Sequence, residues 1–506
     1  MHRKKMITIK NCIALLMALF MLISLPLSAQ NGELYDEQLT ETTVDDEIVI
    51  PQAKQPNFGK TVLEIGVIIL GGTAWYYYDN SNKRDQVLNS KEDVTDNLTI
   101  INVLKFDDNV FETNVIGHPL AGALYGLAAR TNGYNQWQSF LFAFGGSFFW
   151  EYIVEFREII SINDMIQTPM GWVIGESLFQ FASFYSAHSN PGWFSDFISG
   201  RVDVSKYKYM DGPNGRQVFN NMVLYAGVYG QSDQNSYGLN LGADMELFSV
   251  KKLKQQGRLN SFFFDTPYSH IVLTASFGPP KGLASAYFFT ETGLLGYAKQ
   301  NIRSVNGERS GYSVFASLNT AFSYDSLFIE DQYKKTGIIH LLGPAVDISL
   351  IKNDFTLRLR SSLFGDFAQI HSAGLAKYYA AGHTKEDLEN MGAITTASKG
   401  YYFAYGATYR QLATVDYKDA QLGTEVTYGR YYSINGDGRT NEAPKTHNNF
   451  KMRDQRITVK NWFELKTFEN TAIRFTRTYA FLKGSADVFT DRLDDSKYEL
   501  NAIYRL

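Results

Sequence analysis

From Phe219 onward, apolar and polar positions alternate with a period of two, as in a strand whose two faces meet different media. Tyr237, Leu239, Leu241, Ala243, Met245 and Leu247 alternate with Gly238, Asn240, Gly242, Asp244 and Glu246. Phe355, Leu357, Leu359, Ser361 and Leu363 alternate with Thr356, Arg358, Arg360 and Ser362. Tyr401, Phe403, Tyr405, Ala407 and Tyr409 do so against Tyr402, Ala404, Gly406 and Thr408. Such runs match the roughly 9–11 residues that a tilted strand needs to cross an apolar layer. Strands of water-soluble sandwiches are usually shorter, about five or six residues. Strands are expected to begin near residues 218, 237, 268, 283, 311, 338, 354, 400, 419, 454, 470 and 497. About twelve strands, an even number, suits closure of an antiparallel barrel. The expected fold is mixed: an N-terminal helical module and, over 215–506, an antiparallel transmembrane β-barrel with the first register facing lipid. Asp244, Glu246, Arg358 and Arg360 would then point into the lumen.

Before residue 215 the pattern is helical. Residues 101–196 form the expected helical domain, centred on a very apolar stretch from 114 to 184. His118 and Pro119 read as an N-cap and first helical residue, with the helix running to about Arg130. Asn135 and Gln138 have capping-box spacing before a second helix that continues to about Arg157, and Ser161 and Asp164 repeat that spacing. Thr168-Pro169 reads as the start of a further helix. Gly122 and Gly126, and again Gly171 and Gly175, leave smooth faces on which another backbone can come close. Upstream, residues 61–78 are apolar, but Glu64 and the Gly71-Gly72 pair argue for a helix packed on the module or held in the lumen over a membrane span.

The N-terminus carries Arg3, Lys4, Lys5 and Lys10, an apolar run from Cys12 to Leu25, and a small-residue site ending at Ala29. Residues 1–29 therefore read as a secretory signal peptide, and 30–100 as a polar leader, the apolar helix and a linker. Cleavage would remove four of the 48 basic residues and none of the 52 acidic ones, leaving 44 against 52 and a charge of −8. That balance argues against a nucleic-acid partner. The single Cys would leave with the signal, which excludes disulfides, thiolate metal sites and a Cys nucleophile from the mature chain. With 36 Phe, 32 Tyr and 6 Trp, the chain has the aromatic supply that membrane interfaces use.

The candidate chemistry lies in the helical stretch: His118, Arg130, Glu151, Glu155 and Glu176. Glu151 and Glu155 share a helical face, with Glu158 one turn further on. Charges in so apolar a setting need partners, and His118 and Arg130 are the available donors. Three readings stay open. The first is a satisfied buried network; the second is a proton-transfer or divalent-ion site, although no HExxH or paired ExxH motif is present. A helix N-terminus at His118-Pro119 near Arg130 would instead suit a phosphate or lipid headgroup. As catalytic candidates we take His118, Glu151 and Glu155, and as ligand-binding candidates His118, Arg130 and Glu176; no cofactor is specified. Asp164 reads as a helix cap, and Ser147 as a small packing residue outside any GxSxG context.

The strings GHPLAGALYGLAAR, WQSFLFAFGGSFFWEYIVEF and SINDMIQTPMGWVIGE resemble an uncharacterised family of envelope proteins known mainly as a domain of unknown function. The resemblance covers about residues 105–185 and carries His118, Pro119, Gly122, Arg130, Ser147, Glu151, Glu155, Asp164, Pro169 and Glu176; it implies no reaction. The closing KYELNAIYRL places Tyr498, Leu500, Ala502, Tyr504 and Leu506 on one face. It resembles the last strand of Gram-negative outer-membrane barrels, from whose usual aromatic ending Leu506 departs. The expectation is an outer-membrane protein in contact with lipid. Its helical module would plug the barrel, cap its periplasmic mouth or bind envelope lipid or a small molecule. Alternatives are a membrane-embedded hydrolase acting on lipid or envelope material, and a pore or transporter.

Overall fold

The structure, a computed structural model, describes residues 55–79, 106–107, 109–155, 160–188, 219–232, 236–279, 282–329, 332–391, 400–434 and 450–505. The expected signal peptide, the expected leader up to residue 54, Glu158 and Leu506 lie outside the described residues. The barrel is built from β1 (Phe219–Gln231), β2 (Ser236–Phe248), β4 (Tyr268–Gly278), β5 (Gly282–Val305), β6 (Glu308–Ile329) and β7 (Gln332–Lys352). It continues through β8 (Phe355–His371), β9 (Tyr401–Tyr417), β10 (Ala420–Ser433), β11 (Met452–Phe468), β12 (Thr471–Ala486) and β13 (Phe489–Arg505). Each pairs antiparallel with its neighbour, and β1 pairs with β13, so this twelve-strand sheet closes on itself. Closure leaves no open edge, which is what permits strands to cross a bilayer. A short β3 (Gly257–Phe263), absent from the expected strands, pairs with the far half of β5 beside β4.

Alternation assigns the faces. Asp244, Glu246, His270, Arg358 and Arg410 line a cavity of about 630 Å³ inside the barrel. The opposite register leaves Leu239, Leu241, Leu359 and Leu363 exposed on the outside. This is the polar-in, apolar-out wall of a membrane barrel. At one end β5–β6, β7–β8, β9–β10 and β11–β12 are joined by very short turns, with Asn306, Asn353 and Lys418 at positive φ. The other end carries the long β8–β9 and β10–β11 connections, which marks it as the extracellular side.

The helical module comprises α1 (Phe58–Asp79), α2 (His118–Thr131), α3 (Gln136–Phe149), α4 (Ile162–Met170) and α5 (Trp172–His188). The Asn135/Gln138 capping box is formed at α3. Two expected boundaries differ. The chain is already helical before His118, through a π-helical turn Thr113–Gly117, so α2 has no free N-terminus there. Pro169 lies inside α4, and the break falls at Gly171. A second π-helical turn, Trp150–Val154, ends the α3 helix at Glu155. The glycine faces interlock: a Cβ on Gly122 would sit 1.6 Å from the Thr168 carbonyl oxygen, and one on Gly175 would sit 2.3 Å from that of Ala123. No described helix is long and apolar enough to cross a membrane.

The module does not enter the lumen. Met222, Met245, Ile271, Thr290, Phe322, Ile339, Phe367 and Tyr405 form one row of opposed residues across eight strands, all in the outward register. Phe181 and Phe184 of α5 pack on Met222 and Ile271, while Phe111, Val115 and Val173 share a core with Phe322, Ile339 and Phe367. Tyr405, at the end of the row, is bare. Ser177 bonds the Thr290 and Thr292 hydroxyls at 2.8 Å each. A Cβ on Gly337 would strike Val115. The module thus covers the outside of the wall, and its own free surface (Leu63, Val67, Leu70, Leu120, Leu124, Phe148) is as apolar as the wall it hides.

What does occupy the extracellular mouth is the β8–β9 connection. Its helices α6 (Ala373–Ala380) and α7 (Lys385–Asn390) bury Leu375, Tyr378 and Leu388 against the lumen-facing Ile338, Tyr402 and Tyr431. At the opposite end the turn after β2 folds inward, packing Val250 and Leu253 with Phe248, Tyr268 and Phe315.

Candidate functional site

The five expected site residues fall into two buried clusters at opposite ends of α2. His118 and Arg130 stand twelve positions apart, roughly 18 Å along the helix.

At the Arg130 end, the guanidinium Nε faces Glu176 Oε2 at 2.9 Å and lies over the Phe179 ring. Glu176 is fully buried, and its Oε1 accepts from Gln180 Nε2 and Thr266 Oγ1, each at 2.7 Å. Gln136 donates to the Phe264 and Leu294 carbonyls. These bonds tie the module to the link between β3 and β4. Thr266 has φ +42°, a conformation costly for a β-branched residue, and is held there by Gln136 and Glu176. This cluster is a joint. Each charge has an opposite partner, and a buried pair of this kind costs about 3–5 kcal/mol when broken.

At the His118 end the chemistry differs. His118 Nε2 lies 3.1 Å from Asp164 Oδ1, and its Nδ1 lies 3.2 Å from Thr168 Oγ1. Asn163 Nδ2 donates to both Asp107 Oδ1 and Asp164 Oδ1 at 2.9 Å, and its Oδ1 accepts the Asp107 backbone N–H. Ser161 caps α4 by accepting from the Asp164 N–H, which frees the Asp164 carboxyl to turn toward His118. Glu151, on the π-helical turn, accepts the Ser161 N–H at 3.0 Å; Glu155 is buried nearby. Burial pushes the Asp164 carboxyl well above the usual carboxylate range, reinforced by Asp107 and Glu151. Asp107, His118 and Asp164 bring ligand atoms within 4.8 Å of one another.

The structure places His118, Glu151 and Glu155 at this end, with the imidazole on Asp164, a residue outside the expected set. Asp164, three residues after Ser161, does form the expected cap, but through its backbone N–H, and its carboxyl serves the cluster. Its four-residue spacing to Thr168, which puts both on one face of α4, was the available signal. Asp107 and Asn163 were missed; Asp107 reaches the site only through tertiary contact.

Residues 103–201 match the model of a family described as Domain of unknown function (DUF3943). Both clusters draw most of their residues from this DUF3943 segment. No curated protein matches the chain. Among solved structures, the P. putida toluene transporter TodX is similar at 6% identity over 59% of this chain and 91% of that one, with TM-score 0.19. A porin is similar at 7% identity over 57% of this chain and 100% of its own, with TM-score 0.20. Omp33 of Acinetobacter baumannii is similar at 9% over 57% and 98%, with TM-score 0.17. Overlaps of this size carry no argument about activity. The protein is an outer-membrane β-barrel on the strength of its closed sheet, apolar exterior and polar lumen.

Proposed function

We propose that the barrel is a gated passage for small polar solutes, closed in this state. The lumen cavity carries the proposal: its lining holds seven Asp/Glu and eight Lys/Arg side chains, so it suits polar cargo without a strong preference for either sign. Arg358 reaches across it to Glu246 at 2.6 Å and to Asp347 at 2.5 Å, and Lys254 joins Asp347 at 2.8 Å. These bridges, the α6–α7 stopper and the inward turn after β2 all narrow the route. The stopper and the turn are connections between strands, which can move without opening the sheet.

The test is conductance in planar bilayers, comparing the full chain with a variant in which 373–391 is replaced by a short Gly-Ser linker. The intact protein should be nearly silent and the variant should conduct with weak ion selectivity. A variant that still shows heat-modifiable barrel migration yet conducts nothing would overturn the passage.

A further inference from the structure

We propose that Asp107, His118 and Asp164 bind one divalent transition-metal ion, Zn²⁺ or Mn²⁺, on the helical module outside the barrel wall. One imidazole and two carboxylates form a mixed nitrogen and oxygen donor set suited to such ions, and poorly suited to the purely oxygen-seeking Mg²⁺. The three donors lie within 4.8 Å of one another. Ligands about 2.0–2.2 Å from a shared tetrahedral ion stand roughly 3.3–3.6 Å apart, so side-chain rotations that draw the donors inward complete the site.

Two further observations point to a missing cation. Asp164 Oδ2 and Asn114 Oδ1 belong to side chains with no solvent exposure, and no described residue donates a hydrogen bond to either oxygen. Buried acceptors left so are costly, and a cation satisfies them where a further acid cannot. Asn114 stands beside Asp107, with its Nδ2 3.5 Å from Asp107 Oδ1. The imidazole is oriented as a metal ligand is. Nδ1 can donate to the Thr168 hydroxyl, which leaves the Nε2 lone pair facing Asp164. Glu151 and Glu155 stand close behind Asp164. His118 is 13% exposed and gives the ion its entry. Both π-helical turns border this pocket, placing Asn114 and Glu151 on it.

The experiment uses the full chain folded in detergent, stripped with a chelator and checked for heat-modifiable migration. It is then titrated calorimetrically with ZnCl₂, MnCl₂ and MgCl₂. The expected result is one Zn²⁺ or Mn²⁺ per chain, with Mg²⁺ much weaker. Asp164→Asn and His118→Ala should abolish that binding event, and Thr168→Val should weaken it by roughly 10- to 100-fold. Asp494→Asn, at an exposed β13 position, should bind as the wild type does. Asp164→Asn keeps the side chain's shape, so it tests the site even if His118→Ala fails to fold. Wild-type protein that takes up neither Zn²⁺ nor Mn²⁺, or a folded Asp164→Asn that binds them as well as wild type, overturns the site.

Discussion

The lumen and the His118 end of the helical module both bury charge, but under opposite rules. In the lumen the charges alternate in sign: Arg358 between Glu246 and Asp347, Arg360 on Glu291, Arg410 on Glu425. The strands fix this, because inward side chains from neighbouring and facing strands meet at set heights and can be matched pair by pair. In the module, carboxylates from the stretch before α2 and from α4 gather at a single imidazole, with Glu151 of the π-helical turn beside Asp164. The joint at Arg130 and Glu176, in the same module, follows the lumen's rule. Matched pairs therefore hold the lumen and the joint, whereas the His118 end gathers side chains of metal-ligand type.

The largest effect expected is in the lumen. Arg358→Gln leaves Glu246 and Asp347 facing each other across the cavity and should cost about 3–5 kcal/mol. That loss would be read as a lowered temperature for the heat-modifiable gel shift. Sequence alone would treat Arg358 as a lumen charge replaceable without harm to assembly, so an unchanged transition would break the comparison at its first term.

One residue away, Leu359 faces the opposite medium. Leu359→Arg puts a charge in hydrocarbon and should cost roughly 2–4 kcal/mol near the bilayer centre. Its signature is failure to insert into lipid vesicles, whereas Arg358→Gln should insert and then melt early. Identical behaviour of the two variants would mean that the register is misassigned.

Gly175→Ala probes the module by packing alone. Its Cβ would meet the Ala123 carbonyl oxygen, forcing α2 and α5 apart at a cost of about 1–3 kcal/mol. Limited proteolysis should cut the module sooner while the barrel fragment stays protected. Equal loss of protection in both would show that module and barrel unfold as one.

The smallest effect has the opposite sign. In metal-free protein, Asp164→Asn should leave the module equally stable or firmer by about 1 kcal/mol, because it removes one carboxylate from a crowded, buried set. The proteolysis assay, run in chelator, reads this directly. A marked loss of protection would place the His118 end under the lumen's rule after all.

Much of this architecture was legible because its signals are local and periodic. Period-two alternation fell within all twelve barrel strands, though β7 and β13 begin six and eight residues before the expected 338 and 497, and it put Arg358 inside and Leu359 outside, since adjacent side chains on a strand must face opposite sides. Glycines four apart announced the close contact of α2 with α4 and α5. The Asn135–Gln138 cap needed only four residues to be recognised. The short β3 escaped because it has only seven residues and depends on the overhanging end of β5 for its partner.

Residue order alone thus specifies the barrel, its two faces, and a helical segment whose buried acids need partners. Tertiary structure decided the rest. The outward register looks the same whether it meets lipid or a helix, so nothing in Met245, Ile339 or Phe403 says that the module covers them while Tyr405 stays bare. Nor does spacing along the chain say which carboxylate an imidazole meets. Asp107 comes to His118 because Asn163 holds its backbone N–H and its carboxylate at once, a contact across 56 residues that only the folded chain can make.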